Sequence, residues 1–261
     1  MHILDVVFKT TCKHNNLEVR IMQNTGTIKS TINLNKTIVK DQQGNKFHIK
    51  EPGSAITHFI GMVMAIFAAI PLLIRAAYEP DRIYIVSMTI YAASLILLYA
   101  ASTTYHTFDI SEKVNTILKK IDHMMISVLI AGSYTPVCLI VLKGRLGIIL
   151  LSIVWAIAIA GILIKAFWVY CPKWVSSVLY IGMGWTCVLA FTQLLNNLSP
   201  AAFGWLLAGG IIYTVGGVIY ALKLPLFNSR HKNFGSHEIF HLFVMGGSAC
   251  HFVVMYAFLL P

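Results

Sequence analysis

Charge is what this sequence has least of. Only 11% of its 261 residues are Asp, Glu, Lys or Arg, while 57% are hydrophobic and the mean hydropathy is +0.73. An ordinary soluble domain carries about 25% charged residues, so this chain has too few to coat a water-facing globule of its size. The same composition excludes a disordered chain and a collagen-like repeat. Acidic side chains are the scarcest, with 10 Asp+Glu against 20 Lys+Arg. In a chain this apolar the basic surplus marks the cytoplasmic side of a membrane, and no nucleic-acid partner is expected. Cysteine is sparse as well. Cys12, Cys138, Cys171, Cys187 and Cys250 are odd in number, widely spaced and without a CxxC pair. That argues against a disulfide framework and a cysteine-built zinc site.

The composition shifts at about Lys50. Residues 1–50 are polar and basic, with 8 of the 20 Lys+Arg and no apolar run suited to a signal peptide. Val19, Ile21, Ile28, Ile32, Leu34, Ile38, Phe47 and Ile49 recur at mostly even spacing around Asn24-Thr-Gly26 and Gln43-Gly-Asn45. That pattern predicts either a few short strands or a loosely ordered tail. Residues 51–261 form a second region of apolar runs, roughly 56–74, 83–106, 121–142, 146–168, 174–195, 201–222 and 237–260. Each is near the ~20 residues that cross a bilayer as a helix. The expected fold is therefore an all-α seven-transmembrane helix bundle with a short polar N-terminal extension. With the N-terminus inside, 16 of the 20 Lys+Arg fall in inner segments. Positive loops stay cytoplasmic, so the expected orientation is N-in/C-out.

Ionisable groups within spans are costly, roughly 2.5–3.5 kcal/mol each on insertion scales, so each needs a reason. His106 ends the second run. Asp122 and His123 are expected in the first turn of the third span, and His237 and His241 in the first two turns of the seventh. Three spans thus bring His, Asp, His and His to one layer near the inner face. His237 and His241 are i, i+4 and share a helix face. With His106 they would complete the three-histidine set typical of catalytic zinc, with Asp122 placed to hold or deprotonate a bound water. Ser102, one turn before His106, could hydrogen-bond beside the site. A single histidine in a span is more often a hydrogen-bonded packing residue, and the shared depth of the four is what favours a metal. His237-Glu-Ile-Phe-His241 also matches HExxH, but no third ligand follows at protease spacing. Glu238 is therefore not the expected base. His58 is expected to make an inter-helix hydrogen bond. His251, about 15 Å further along its helix, is expected to make a separate polar contact. Tyr134-Thr-Pro136 predicts a kink, and the paired glycines predict close helix packing.

These segments resemble a known family. Glu51-Pro-Gly-Ser-Ala-Ile-Thr-His58, Ser102-Thr-Thr-Tyr-His106, Ser111-Glu-Lys-Val leading to Asp122-His123, Ser133-Tyr-Thr-Pro136, and His237-Glu-Ile-Phe-His241 with His251 are similar to the hemolysin III family. That family lies within the progestin and adipoQ receptor group, which includes the adiponectin receptors. The resemblance covers about residues 50–261. It implies seven helices, N-in and C-out, and a Zn2+ ion near the cytoplasmic leaflet held by His106, His237 and His241. It also implies a contact of Asp122 through water, with Ser102 alongside. Ser54 departs from the pattern, which usually has Asn there.

The group resembles alkaline ceramidases in this layout. The first expectation is therefore a zinc-dependent hydrolase of lipid amides or esters in a bacterial cytoplasmic membrane, with membrane lipids as its partners. A non-enzymatic sensor of membrane lipid state is the alternative. A pore-forming cytolysin, which the family name suggests, fits less well, because the intramembrane ionisable groups cluster at one end and do not line a whole channel.

Overall fold

A computed structural model describes residues 7–13, 16–23, 26–33, 49–222 and 235–261. Two compact units are distinguished, 1–48 and 49–261. In the first, β1 (Val7–Lys13), β2 (Asn16–Gln23) and β3 (Gly26–Asn33) form an antiparallel meander in the order β1-β2-β3. Its register pairs Leu17 with Ile32 and Ile21 with Ile28. The even spacing of apolar residues is the signature of such strands, whose side chains alternate between faces. Residues 24–25 and 34–48, which hold most of the first turn signal and all of the second, lie outside the described residues.

The second unit is helical. Seven helices among the described residues are long and apolar enough to cross a membrane: α1 (Pro52–Tyr78), α2 (Arg82–Thr107), α3 (Glu112–Leu142), α4 (Gly144–Phe167), α5 (Lys173–Asn197), α6 (Pro200–Leu222) and α7 (Ser236–Phe258). Consecutive helices pack as neighbours, and α7 returns against α1 to close the bundle. Local chemistry sets their starts. Pro52 occupies the first turn of α1, where its missing N–H costs nothing. The Asp81 carboxylate accepts from Ile83 N at 2.9 Å to cap α2. Ser111 Oγ accepts from Val114 N at 3.3 Å to cap α3.

That last cap corrects one expectation. The α3 helix starts at Glu112, well before the apolar run, so Asp122 and His123 lie about three turns into it and not in its first turn. A polar stretch, Glu112 to Lys120, precedes the apolar segment and continues the same helix.

Helix α3 is α-helical to Pro136 and then winds as a π-helix from Val137 to Leu142. Proline has no N–H to continue the ladder, and π turns commonly mark such breaks. Helix α5 is broken too, with a tighter 3-10 turn from Trp185 to Ala190. The Tyr134 hydroxyl joins the two breaks. It donates to Gly184 O at 2.6 Å and accepts from Cys187 N at 2.8 Å. The kink motif therefore serves the neighbouring helix's freed backbone groups. Thr135 instead bonds Ala131 O, within its own helix, at 2.9 Å.

Small residues let α6 and α7 approach closely. A Cβ on Gly247 would lie 2.8 Å from the Tyr213 ring, and one on Gly209 would lie 2.4 Å from His251 Cδ2. Gly182, Gly184 and Gly210 face open space, so close packing is not their role. Gly247→Val forces the Tyr213 ring aside and should destabilise by about 1–3 kcal/mol. A fall in the thermal midpoint of the purified protein checks this.

Candidate metal centre

The entry to α1 is tied to the end of α2. Glu51 N donates to His106 O at 2.9 Å and Lys50 N to Thr107 O at 3.2 Å. This backbone pairing sets Glu51 directly opposite His106. The carboxylate Oε2 then lies 2.7 Å from His106 Nδ1. That hydrogen bond holds the Glu51 carboxyl below its ordinary value of 4.5, against partial burial, which pushes it up. With the Nδ1 proton donated to Glu51, His106 Nε2 carries the lone pair. It points to His237 Nε2 at 3.3 Å.

Helix α7 supplies the other two rings. His237 and His241 lie one turn apart, with ring centroids separated by 4.5 Å, and those of His106 lie 5.0 and 5.1 Å from them. One nitrogen from each of His106, His237 and His241 falls within 4.8 Å of the others. The Thr57 hydroxyl, 3.0 Å from the Gly53 and Ser54 carbonyls, gives its hydrogen to the backbone. Its oxygen can then accept from His241 Nδ1 at 3.3 Å, which leaves His241 Nε2 as a lone-pair donor. Two rings are thus oriented by Glu51, just before α1, and Thr57 on it, as metal-ligating histidines are. A lone-pair Nε2 on His106 facing another ring nitrogen at 3.3 Å needs a cation or proton between them. The three histidines can hold a metal ion.

Glu238 has a different task. Its Oε2 accepts from Gly235 N at 2.7 Å and its Oε1 from Ser54 Oγ at 2.6 Å. It closes the N-terminus of α7 and ties it to α1, so the HExxH match does not supply a base. The Ser54 hydroxyl is the side-chain donor on α1 that holds this carboxylate.

Asp122 is buried on α3 and lies 3.2 Å from His123 Nδ1. Ser102 is 1% exposed, and its Oγ has no hydrogen-bond partner among the described residues. Both line a cavity that also contains His237 and His241. Away from these groups its wall is mostly apolar, including Leu98, Ile126, Leu129, Ile130 and Val137.

His58 differs from expectation. Among the described residues it makes no inter-helix hydrogen bond, and both ring nitrogens are buried without partners. It stacks on His241 at 3.6 Å and meets the Tyr99 ring edge-on. Glu51 and Thr57 are the site residues that sequence reasoning did not assign. A carboxylate beside the first span was visible, but its pairing with His106 depends on how the α1 entry crosses the end of α2. Glu51→Gln keeps the shape and removes the charge. It should weaken metal binding by about 10- to 100-fold, as read by chelator competition.

The sequence profile of the haemolysin-III related family matches residues 47–252. "Hemolysin-3" of Bacillus cereus is 41% identical over 216 residues, covering 83% of this chain and 94% of its own. "Hemolysin-3 homolog" of Bacillus subtilis is 43% identical over 218 residues, covering 82% and 98%. The "Adiponectin receptor protein" of Drosophila melanogaster is more distant, 24% identical over 221 residues, and the match spans 49% of its length.

Proposed function

The chain belongs to the haemolysin-III related family and is an integral multi-pass membrane protein, and from this premise we propose that it is a zinc-dependent hydrolase of lipid amides or esters. The observation that carries this reading is the joining of two environments in one cavity. Two of the three clustered imidazoles, His237 and His241, line it, and most of the rest of its wall is apolar. An aqueous substrate would gain nothing from that wall, whereas an acyl chain buries about 0.8 kcal/mol per methylene. Three nitrogen ligands with an open fourth position are the pattern of catalytic zinc.

His106, His237 and His241 would hold the ion. When bound, zinc polarises a carbonyl oxygen and makes water acidic enough to be deprotonated near neutral pH. Asp122 takes the proton as water adds to the carbonyl carbon. It returns that proton to the leaving nitrogen or oxygen as the carbon–heteroatom bond breaks. Ser102, buried with a free hydroxyl, donates a hydrogen bond to the lipid's polar group beside the carbonyl. Glu51 keeps the His106 ring turned so that Nε2 faces inward.

The reading places the protein in a bacterial cytoplasmic membrane, N-in and C-out, with membrane lipids as its partners. The distribution of Lys and Arg supports this orientation. His106, at the end of α2, and His237, at the start of α7, would then lie at the inner leaflet. The test is purified protein in lipid nanodiscs supplied with N-acyl lipids and acyl esters. Fatty-acid release that a chelator stops and added zinc restores is the expected result. No release from any acyl lipid under metal-replete conditions contradicts the proposal.

A further inference from the structure

The two ends of the cavity differ in character. Deep in the bundle its wall is mostly apolar. His251, expected from sequence to make a polar contact there, packs on Gly209 and edge-on to the Tyr213 ring. Neither of its nitrogens has a hydrogen-bond partner among the described residues. The metal end is polar, and its wall includes Asp122 and His123 of α3, Ser176 and Ser177 of α5, and Tyr220 of α6.

Two lysines extend this end. Lys119 lies three and four residues before Asp122 and His123, and Lys173 three and four residues before Ser176 and Ser177. Residues so spaced share one helix face. Each lysine therefore continues, by about one turn, a stripe of side chains that lines the cavity. Helices α3 and α5 pack together, so the two stripes are neighbours.

Both ammonium groups are set on aromatic faces. Lys119 Nζ stands 4.4 Å from the Tyr170 ring centroid, and Lys173 Nζ 4.2 Å from that of Tyr220. The rings are fixed in turn. Tyr170 OH lies 3.1 Å from Thr116 Oγ1 of α3, while Tyr220 packs on Phe240 at 5.0 Å and His237 at 5.8 Å. A ring face attracts the charge without using up an ammonium's three N–H donors. The nearby carboxylates have other partners. Glu51 meets His106, and Glu238 is held by Gly235 N and Ser54 Oγ. Asp122 meets His123 and lies one turn deeper than Lys119. Behind the wall the buried Lys165 donates to Ser176 Oγ, a third basic side chain at this end. Charge is thus sorted along the cavity: cations at the rim, a carboxylate one turn in, then apolar surface. An anion is attracted to the rim and repelled beyond it, whereas a neutral carbonyl and its acyl chain can pass deeper.

We propose that Lys119 and Lys173 form a phosphate-binding headgroup subsite, and that the lipid of this cavity is a glycerophospholipid. Its phosphate meets the two ammonium groups. Two carbons and two oxygens separate that phosphorus from the nearest ester carbonyl, a reach comparable to one helical turn, roughly 5.4 Å. The carbonyl then arrives at the level of Asp122, and the acyl chains lie along the apolar wall. This inference rests on the reading that the cavity holds an acyl lipid, and it adds the substrate class. It does not depend on turnover.

The test is equilibrium binding to the full-length protein in neutral detergent micelles, by displacement of a fluorescent phospholipid. The competitors are dioleoyl phosphatidylglycerol, dioleoylglycerol, which has the same chains and no phosphate, and inorganic phosphate. A lysine near an anionic lipid headgroup is worth roughly 5-fold in affinity. Wild type should therefore prefer the phosphatidylglycerol over dioleoylglycerol by roughly 10- to 30-fold. Lys119→Gln and Lys173→Gln should each remove roughly 5-fold of this, and the double variant should erase it while still binding dioleoylglycerol. Lys113→Gln, at an exposed basic position in the first turn of α3, should leave the preference unchanged. Inorganic phosphate should displace nothing at the concentrations where the phosphatidylglycerol does. Equal binding of the two lipids by wild type overturns the inference, as does a preference that survives in the double variant or falls as far in Lys113→Gln. Displacement by inorganic phosphate as effective as by the lipid assigns the lysines to free phosphate and overturns it too. If neither lipid binds, the lipid reading of the cavity fails with it. Preference for the phosphatidylglycerol without fatty-acid release upholds the subsite and removes the hydrolase reading alone.

Discussion

His237→Ala should abolish fatty-acid release from acyl lipids in nanodiscs. His237 is the ring whose Nε2 approaches His106 Nε2 at 3.3 Å, and it stands 4.5 Å from His241 between ring centroids. Removing it leaves two imidazoles, too few to hold zinc at a three-ligand site. The loss should exceed about 1,000-fold, because without the ion the water and the carbonyl both lose their activation. Excess zinc should not rescue it. Retention of wild-type turnover in the variant would remove the metal from the mechanism. Thermal midpoint and size-exclusion profile should be recorded alongside. His237 Nδ1 has no hydrogen-bond partner among the described residues, so its truncation breaks no hydrogen bond from that atom.

Asp122→Asn separates chemistry from metal binding. Asp122 lies outside the three-nitrogen cluster yet lines the same cavity. The amide is nearly the same size and cannot accept the proton. Turnover should therefore fall about 100- to 10,000-fold, the usual worth of a positioned general base. Metal content should stay at the wild-type level. Loss of metal together with activity would instead make Asp122 a structural support of the site. Unchanged turnover would exclude it as the base.

Much of the architecture could be read before any coordinates. Seven apolar runs of near-bilayer length become seven helices because a helix satisfies every backbone group within its own segment in lipid, and about 20 residues span the bilayer that way. The i, i+4 spacing of His237 and His241 fixes a shared face on any helix. The position of His106 at an apolar run's end fixes its depth. What could not be read were contacts set by the crossing of chain segments distant in sequence. Glu51 reaches His106 only through the two backbone hydrogen bonds that join the α1 entry to the end of α2. Ser54 reaches Glu238 across 184 residues of sequence. The extra turns at the start of α3 are not legible in the hydropathy pattern either. A polar helical stretch carries no apolar periodicity, and the Ser111 cap was the available signal. The place of His58 is not legible in sequence, because stacking on another imidazole leaves no mark in residue spacing.

Rings from the second and seventh helices converge on one point, and elemental analysis of the purified protein shows whether they hold a metal ion there. The wild type should contain about one zinc per chain, with His106→Ala and His241→Ala nearly free of it. Wild-type protein without stoichiometric metal after purification in zinc-supplemented buffer, or equal metal in all three proteins, would contradict the account.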